Sequence, residues 1–249
     1  MNDILLNGET LTEVNESIKL IQKSNGLTFG TDAFLLASFV KAQKNGIAVE
    51  LGGGTGIISM LSASREKFKK IYCVEIQESF ADIIERNARI NELDKKIEAV
   101  HADIRSISAA SIGCEVDAVF SNPPYMKTDS GKRNEYDEKY IARHEVCGDI
   151  SDFCACAKRL LKHSGYFYCV FRPDRLTDLI CAMRENNLEP KRMCFVHANT
   201  FSAPSMVLVQ AKKGAASGIN VEEPLFLNLD DDPKKLTKRA QKIYEECNF

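Results

Sequence analysis

The chain contains no Cys-x-x-Cys pair, although it carries nine cysteines, at 73, 114, 147, 154, 156, 169, 181, 194 and 247. An odd, scattered set of this kind supports neither a disulfide framework nor a zinc site, and no metal is expected. Several of the thiols sit in apolar runs, such as Ile71-Tyr72-Cys73-Val74 and Tyr168-Cys169-Val170. They read as buried free thiols of a reducing compartment, so a cytoplasmic location is expected. No apolar run reaches membrane-spanning length, and the N-terminus lacks a basic region followed by an apolar stretch. Internal repeats and low-complexity segments are also missing. A strong positive charge is absent too: the formal net charge is -2. Any nucleic-acid affinity must therefore come from local basic patches rather than a global field.

What remains is an ordinary globular composition, 44% hydrophobic and 27% charged over 249 residues, enough for one large domain with small extensions. Residues 1–28 alternate in short segments and read as a β-hairpin extension. Residues 29–214 read as the main domain and 215–249 as a tail. Phe29-Gly30-Thr31-Asp32 opens a helix that Thr31 can cap and that Asn45-Gly46 ends. The strand Ile47-Ala48-Val49-Glu50-Leu51 runs straight into Gly52-Gly53-Gly54-Thr55-Gly56, and a helix through Ile57, Ile58, Met60 and Leu61 follows. A strand, a glycine turn and a helix make a nucleotide-type pocket, because glycines let the backbone approach a ligand and the helix start offers free N–H groups. Ile57 stands where the third glycine of a dinucleotide fingerprint would be, and no Gly-Lys-Ser/Thr follows. That spacing excludes a phosphate-binding P-loop and disfavours a dinucleotide site.

Glu75 ends the next strand, Ile71 to Val74, where an acid can accept ribose hydroxyls or simply cap the helix Glu78–Asn91. After the third strand, Asp103 is placed either to meet an adenine amino group, with Ile104 packing on the ring, or to cap a helix. The strand Val116–Phe120 ends in Ser121-Asn122-Pro123-Pro124-Tyr125. Two prolines stop the strand and stiffen the backbone. They fix the Asn122 amide, the Pro123 carbonyl and the Tyr125 ring at a strand's carboxyl end, a set suited to a planar amino group; the plainer alternative is a tight turn. The polar segment 126–139, with Lys127, Lys132 and Arg133, reads as a substrate loop. Ser151 opens a helix ending at Gly165, strand Tyr166–Phe171 follows, and a helix runs from Pro173 to Asn187. Strands Arg192–His197 and Ser205–Ala211 are joined too briefly for a helix, which makes the last one antiparallel. The alternation predicts an α/β Rossmann-like fold: a doubly wound, mostly parallel seven-stranded sheet with a reversed last strand. In the tail, Asp230-Asp231-Asp232-Pro233 is expected to start an amphipathic helix packed on the domain, with Pro233 at its first position and a basic outer face.

Glu50-x-Gly52-x-Gly54-x-Gly56, Glu75, Asp103 and Asn122-Pro123-Pro124-Tyr125, in this order, resemble a class I S-adenosylmethionine-dependent methyltransferase. Within that class, Phe29-Gly30-Thr31-Asp32-Ala33-Phe34-Leu35-Leu36, Ile141-Ala142-Arg143-His144-Glu145, Arg172-Pro173-Asp174-Arg175 and Pro224-Leu225 resemble the bacterial family that methylates N6 of the adenine next to the anticodon of a valine tRNA. The resemblance implies S-adenosylmethionine as cofactor and S-adenosylhomocysteine as product. It implies cofactor contacts from Thr31, Glu50, Gly52, Gly53, Gly54, Gly56, Glu75, Ile76, Asp103, Ile104 and Asn122, and a target-base site at Asn122, Pro123, Pro124 and Tyr125. The expected partner is tRNA, held by Lys127, Lys132, Arg133 and Arg143, and the protein is expected to be a monomer or weak homodimer. A guanine-N2 rRNA methyltransferase and a glutamine-N5 protein methyltransferase also use such a tetrapeptide. From another class, a nucleotide-binding oxidoreductase or a binding module would explain the glycines and Glu75 but not Asn122–Tyr125.

Overall fold

The computed structural model describes residues 4–24, 29–124 and 148–249. The N-terminal extension is an antiparallel hairpin, β1 (Glu9–Asn15) and β2 (Ile18–Lys23). Asn15 closes it by accepting from the N–H groups of Ser17 and Ile18, both at 2.9 Å, the local bonding that makes Asn a turn residue. Ile18, Leu20 and Ile21 of β2 are buried.

The main sheet is formed by β3 (Gln43–Leu51), β4 (Phe68–Glu75), β5 (Ile97–His101), β6 (Val116–Ser121), β7 (Leu161–Phe171), β8 (Leu188–His197) and β9 (Pro204–Lys213). Their order is β8-β9-β7-β6-β3-β4-β5. β3 pairs in parallel with both β4 and β6, β4 with β5, and β6 with β7. The reversed strand β9 lies inside the sheet, antiparallel to both β7 and β8. The helices are α1 (Thr31–Phe39), α2 (Ile57–Ser64), α3 (Glu78–Ile90), the short α4 (Ala109–Ile112), α5 (Ile150–Leu160) and α6 (Leu176–Glu185). Two apolar cores cover the sheet, one holding α1 and α2, the other α5 and α6. Central strands sandwiched this way are near-continuously apolar, as β6 shows in Val116, Ala118, Val119 and Phe120, all 0% exposed.

The expected seven strands and the reversed one are therefore present, and the tail adds two more. β10 (Asn220–Val221) and β11 (Leu225–Phe226) pair in parallel with the outer edge of β8, giving nine strands in all. The tail helix, α7 (Lys238–Glu246), packs Ala240 and Ile243 against the body, and the Tyr244 ring meets Phe34 of α1 edge-on at 5.7 Å.

β3, β4, β7 and β8 begin earlier than expected, at Gln43, Phe68, Leu161 and Leu188, and the helices differ as follows. The first helix stops at Phe39, before Asn45-Gly46, because the buried Lys67 ammonium donates to the carbonyls of Ala37 at 2.7 Å and Val40 at 2.8 Å. A lysine supplied by a distant segment does the work expected of a local glycine. The fifth helix is capped by Asp149, which accepts from Ser151 and Asp152 N–H, and it ends at Leu160. In the tail, Pro233 does not begin a helix. Leu229 N–H donates to the Lys235 carbonyl and Thr237 N–H to the Leu227 carbonyl, which holds 235–237 extended; Thr237 then caps α7 through a bond from Ala240 N–H.

Among the described residues no helix is long and apolar enough to cross a membrane. All eight described cysteines are free, six of them buried.

Candidate active site

β3 and β6 are neighbours whose chains continue to opposite sides of the sheet, β3 onward to β4 and β6 onward to β7. A crevice opens outside the carboxyl ends of two such strands, and it is where open α/β sheets bind ligands. Ser121, at the end of β6, donates its hydroxyl to the Leu51 carbonyl at 2.8 Å and ties the two strand ends together.

On the β3 side, Gly52, Gly54 and Gly56 have φ of +69°, +55° and +79°, a region in which side chains are disfavoured, so the turn needs glycine. Gly53 is required for another reason. A Cβ there would sit 2.3 Å from the Cys73 sulfur, so the turn lies directly on β4. Gly54 faces open space instead, with nothing within 4 Å of an added Cβ. The turn is fixed from behind by Asn87 of α3, fully buried, which donates to the Thr55 carbonyl at 2.9 Å. The same side chain accepts from Ile21 N–H at 2.7 Å, so the hairpin extension buttresses the loop.

Glu75 stands at the end of β4 with 6% exposure. Its Oε2 accepts from Gly54 N–H and its Oε1 from Gln77 N–H, both at 2.9 Å. Burial pushes its pKa up, and the backbone donors oppose that shift. Glu50 is expected at the cofactor but is 1% exposed and turned beneath the loop. It accepts from Ser59 N–H at 2.8 Å and from the Ser59 hydroxyl, at the start of α2. Burial pushes it up to about 7. The structure thus gives Glu50 a buried place tied to the first turn of α2.

Ile76, half-buried, follows Glu75, and its carbonyl lies 2.9 Å from His101 Nε2. Asp103 is engaged by Arg105, whose Nε lies 3.0 Å from both carboxylate oxygens; this pairing holds its pKa low. Its carbonyl receives Ser106 and Ile107 N–H, so it also opens a turn. Ile104 is buried with the α5 core, and its carbonyl accepts from Arg159 at 2.6 Å.

On the β6 side, Asn122 is half-buried, Pro123 buried and Pro124 half-buried. Asn122 Nδ2 donates to Asp32 Oδ2 at 2.6 Å. Both residues line an open cleft of about 570 Å³, together with Thr31, Val170, Phe171, Arg172, Pro173, Asp174 and Pro204–Met206. Thr31 is not the cap of α1: Gly30 is, without a side-chain bond, and the Thr31 hydroxyl pairs with Tyr244 of the tail. Tyr125, Lys127, Lys132, Arg133 and Arg143 lie outside the described residues. The glycine loop, Glu75 and Asn122 therefore follow the carboxyl ends of the adjacent parallel strands β3, β4 and β6, and of these the cleft wall holds Asn122. Asp32 was not singled out in the sequence. Its signal was an acid beside a glycine at a helix start where Thr31 already offered a cap.

A doubly wound sheet with one reversed internal strand, a glycine loop after β3 and Asn-Pro-Pro after β6 define a class I methyltransferase fold. The family model "Methyltransferase small domain" matches residues 24–176, and the chain belongs to that family. Two curated relatives carry the name tRNA1(Val) (adenine(37)-N6)-methyltransferase. The one from Aliivibrio salmonicida is 26% identical over 140 residues, 56% of this chain, and the match spans 58% of that protein's length. The one from Phocaeicola vulgatus is 28% identical over 183 residues, 74% of this chain and 76% of the relative. Among solved structures, a predicted O-methyltransferase from Agrobacterium tumefaciens superposes with a TM-score of 0.70 at 20% identity, covering 88% of this chain and 97% of the other. That likeness speaks to the fold.

Proposed function

We propose that this chain is an S-adenosylmethionine-dependent N-methyltransferase that acts on the exocyclic N6 of an adenine in tRNA, next to the anticodon. The observation that carries the reading is Asn122-Pro123-Pro124 at the end of β6, the strand paired with the one that leads into the glycine loop, with Asn122 on the wall of an open cleft. The names of the curated relatives support the choice of tRNA and adenine.

The residues present fit the cofactor. Each Glu75 oxygen holds one backbone N–H and keeps lone-pair capacity for a ribose hydroxyl. Gly54 leaves open space beside the loop, with nothing within 4 Å of an added Cβ. Ile76, Asp103 and Ile104 are the proposed surroundings of the adenine. When bound, S-adenosylmethionine supplies an electrophilic methyl group on a sulfonium and leaves as S-adenosylhomocysteine.

An exocyclic amine is a weak nucleophile, because its lone pair is delocalised into the ring. Asn122 Oδ1 and the Pro123 carbonyl accept its two N–H bonds, and Tyr125 stacks on the ring; the lone pair is then turned toward the methyl. Positioning in a water-poor site supplies most of the acceleration, and no strong base is needed, since a proton leaves after transfer. Extruding a base from structured RNA costs a few kcal/mol, which phosphate contacts from Lys127, Lys132, Arg133 and Arg143 offset. A cytoplasmic location follows from such a substrate. The test is to incubate the protein with labelled S-adenosylmethionine and unmodified tRNA transcripts, then identify the product nucleoside by mass spectrometry. N6-methyladenosine is expected. Methylated guanine, or label in protein and none in tRNA, overturns the assignment.

A further inference from the structure

We propose that Asp32 is the positioning residue of the site: its carboxylate sets the Asn122 side-chain amide with the carbonyl oxygen facing the target. This rests on the reading of Asn122 given above and adds the device that makes it work. A carboxylate only accepts hydrogen bonds, so at 2.6 Å the Asn122 atom facing Asp32 Oδ2 must be the NH2 group. The oxygen at the other arm of the same planar amide is thereby turned away from Asp32. A flipped amide would face the target's NH2 with an NH2 of its own, two donors with nothing to share. Fixing one arm against an anion removes that alternative, and a charge-assisted bond is the stronger kind for the task.

A simpler role for Asp32, as an acid complementing the start of α1, leaves one fact unexplained. Only one of its oxygens serves the helix, with Oδ1 accepting from Ala33 N–H at 2.9 Å, while Oδ2 is committed to a residue 90 positions away. Gly30, two residues earlier, leaves room for the same carboxylate. Gly30 has φ of -110° and ψ of -179°, extended backbone open to any residue, yet a Cβ on it would stand 2.6 Å from Asp32 Oδ1. The absent methyl is the room the carboxylate occupies. Gly30→Ala therefore displaces Asp32 without changing its chemistry.

The experiment combines kinetics with a readout that needs no substrate. In single-turnover methylation of a tRNA transcript, Asp32→Ala is expected to slow the step by about 10–100-fold, the worth of a hydrogen bond to a charged group. Gly30→Ala is expected to follow it, and Asp32→Asn, which can turn its one oxygen to Asn122 only by giving up the bond from Ala33 N–H, to recover part of the loss. S-adenosylmethionine affinity should be unchanged in all three. In an Asn122→Ala background, Asp32→Ala should cost nothing further. In parallel, the side-chain amide resonances of Asn122, assigned by their loss in Asn122→Ala, should move in Asp32→Ala and stay in Asp32→Asn. If Asn122→Ala is inactive while Asp32→Ala is fully active, the positioning role is wrong and the site reading stands. If Asn122→Ala is itself fully active, the site reading fails. An Asp32→Ala loss that persists in the Asn122→Ala background, or unmoved amide resonances, also overturns the proposal.

Discussion

Glu75, on the β3–β4 bank of the crevice, and the buried Glu50 of β3 are held by N–H groups of Gly54, Gln77 and Ser59, the farthest of them 21 positions away. Asn122, on the β6 bank, is held by one side chain from an element 90 residues earlier. The first bank is preorganised by its own main chain and has little freedom to lose. The second depends on a single contact between distant elements. A site built this way can fail on one bank while the other stays intact, and that separability is open to test.

The largest effect is expected from Asn122→Ala. Loss of one preorganised hydrogen-bonding group lowers kcat by about 10²–10³, while S-adenosylmethionine affinity by calorimetry falls less than in Glu75→Ala. A parallel fall in affinity would show that the banks are not separable.

Glu50 gives the next effect, in stability. Burial raises its pKa from 4.5 to about 7 in the folded chain, so between those values the native state binds more protons than the unfolded one. The contribution is therefore fully present below 4.5, falls as pH rises, and is gone above about 7. Glu50→Gln removes this dependence. Urea unfolding should show the wild type losing up to about 3 kcal/mol relative to the variant between pH 4.5 and 8. Parallel pH profiles would place the Glu50 charge in a better-solvated position than its burial implies.

Glu75→Ala should weaken S-adenosylmethionine binding by about 1.5–3 kcal/mol, without altering the Asn122 amide resonances. Unchanged affinity would remove Glu75 from the cofactor site. The smallest effect belongs to the packing beneath the loop. Gly53→Ala presses a methyl onto the Cys73 sulfur and should destabilise the fold by about 1–3 kcal/mol, with partial recovery in Gly53→Ala/Cys73→Ala, measured by denaturant midpoint. No recovery would mean that the cost comes from the backbone.

Local signals made the first bank legible in the sequence. Strand, glycines, helix and the acid at the next strand's end are contiguous, and their order alone predicts a crevice. Asn122-Pro123-Pro124 was legible for the same reason, since proline stops a strand wherever it occurs. What was not legible depends on partners far along the chain. Lys67 ends α1, the 227–229 segment holds 235–237 extended, and Tyr244 takes the Thr31 hydroxyl that looked like a cap. Glu50 was placed at the cofactor by resemblance alone. Ser59, in the first turn of α2, binds its carboxylate, and serine at that place carries no distinctive signal.

The two short tail strands bear on how the chain is completed during synthesis. An uncovered edge strand offers its N–H and C=O groups to any other extended segment and is a route to aggregation. β8 would be such an edge, and β10 and β11 cover it. Because they follow every other strand in sequence, a chain growing from its N-terminus can assemble the whole crevice while that edge is still bare. Arg192 of β8 then latches the cover: its guanidinium lies 3.9 Å from the centre of the Phe39 ring and 5.5 Å from that of Phe249, and it pairs with Glu222 beside β10. The tail is thus the seal on a sheet already folded, and the interval before it closes is when the growing chain is most exposed to its neighbours.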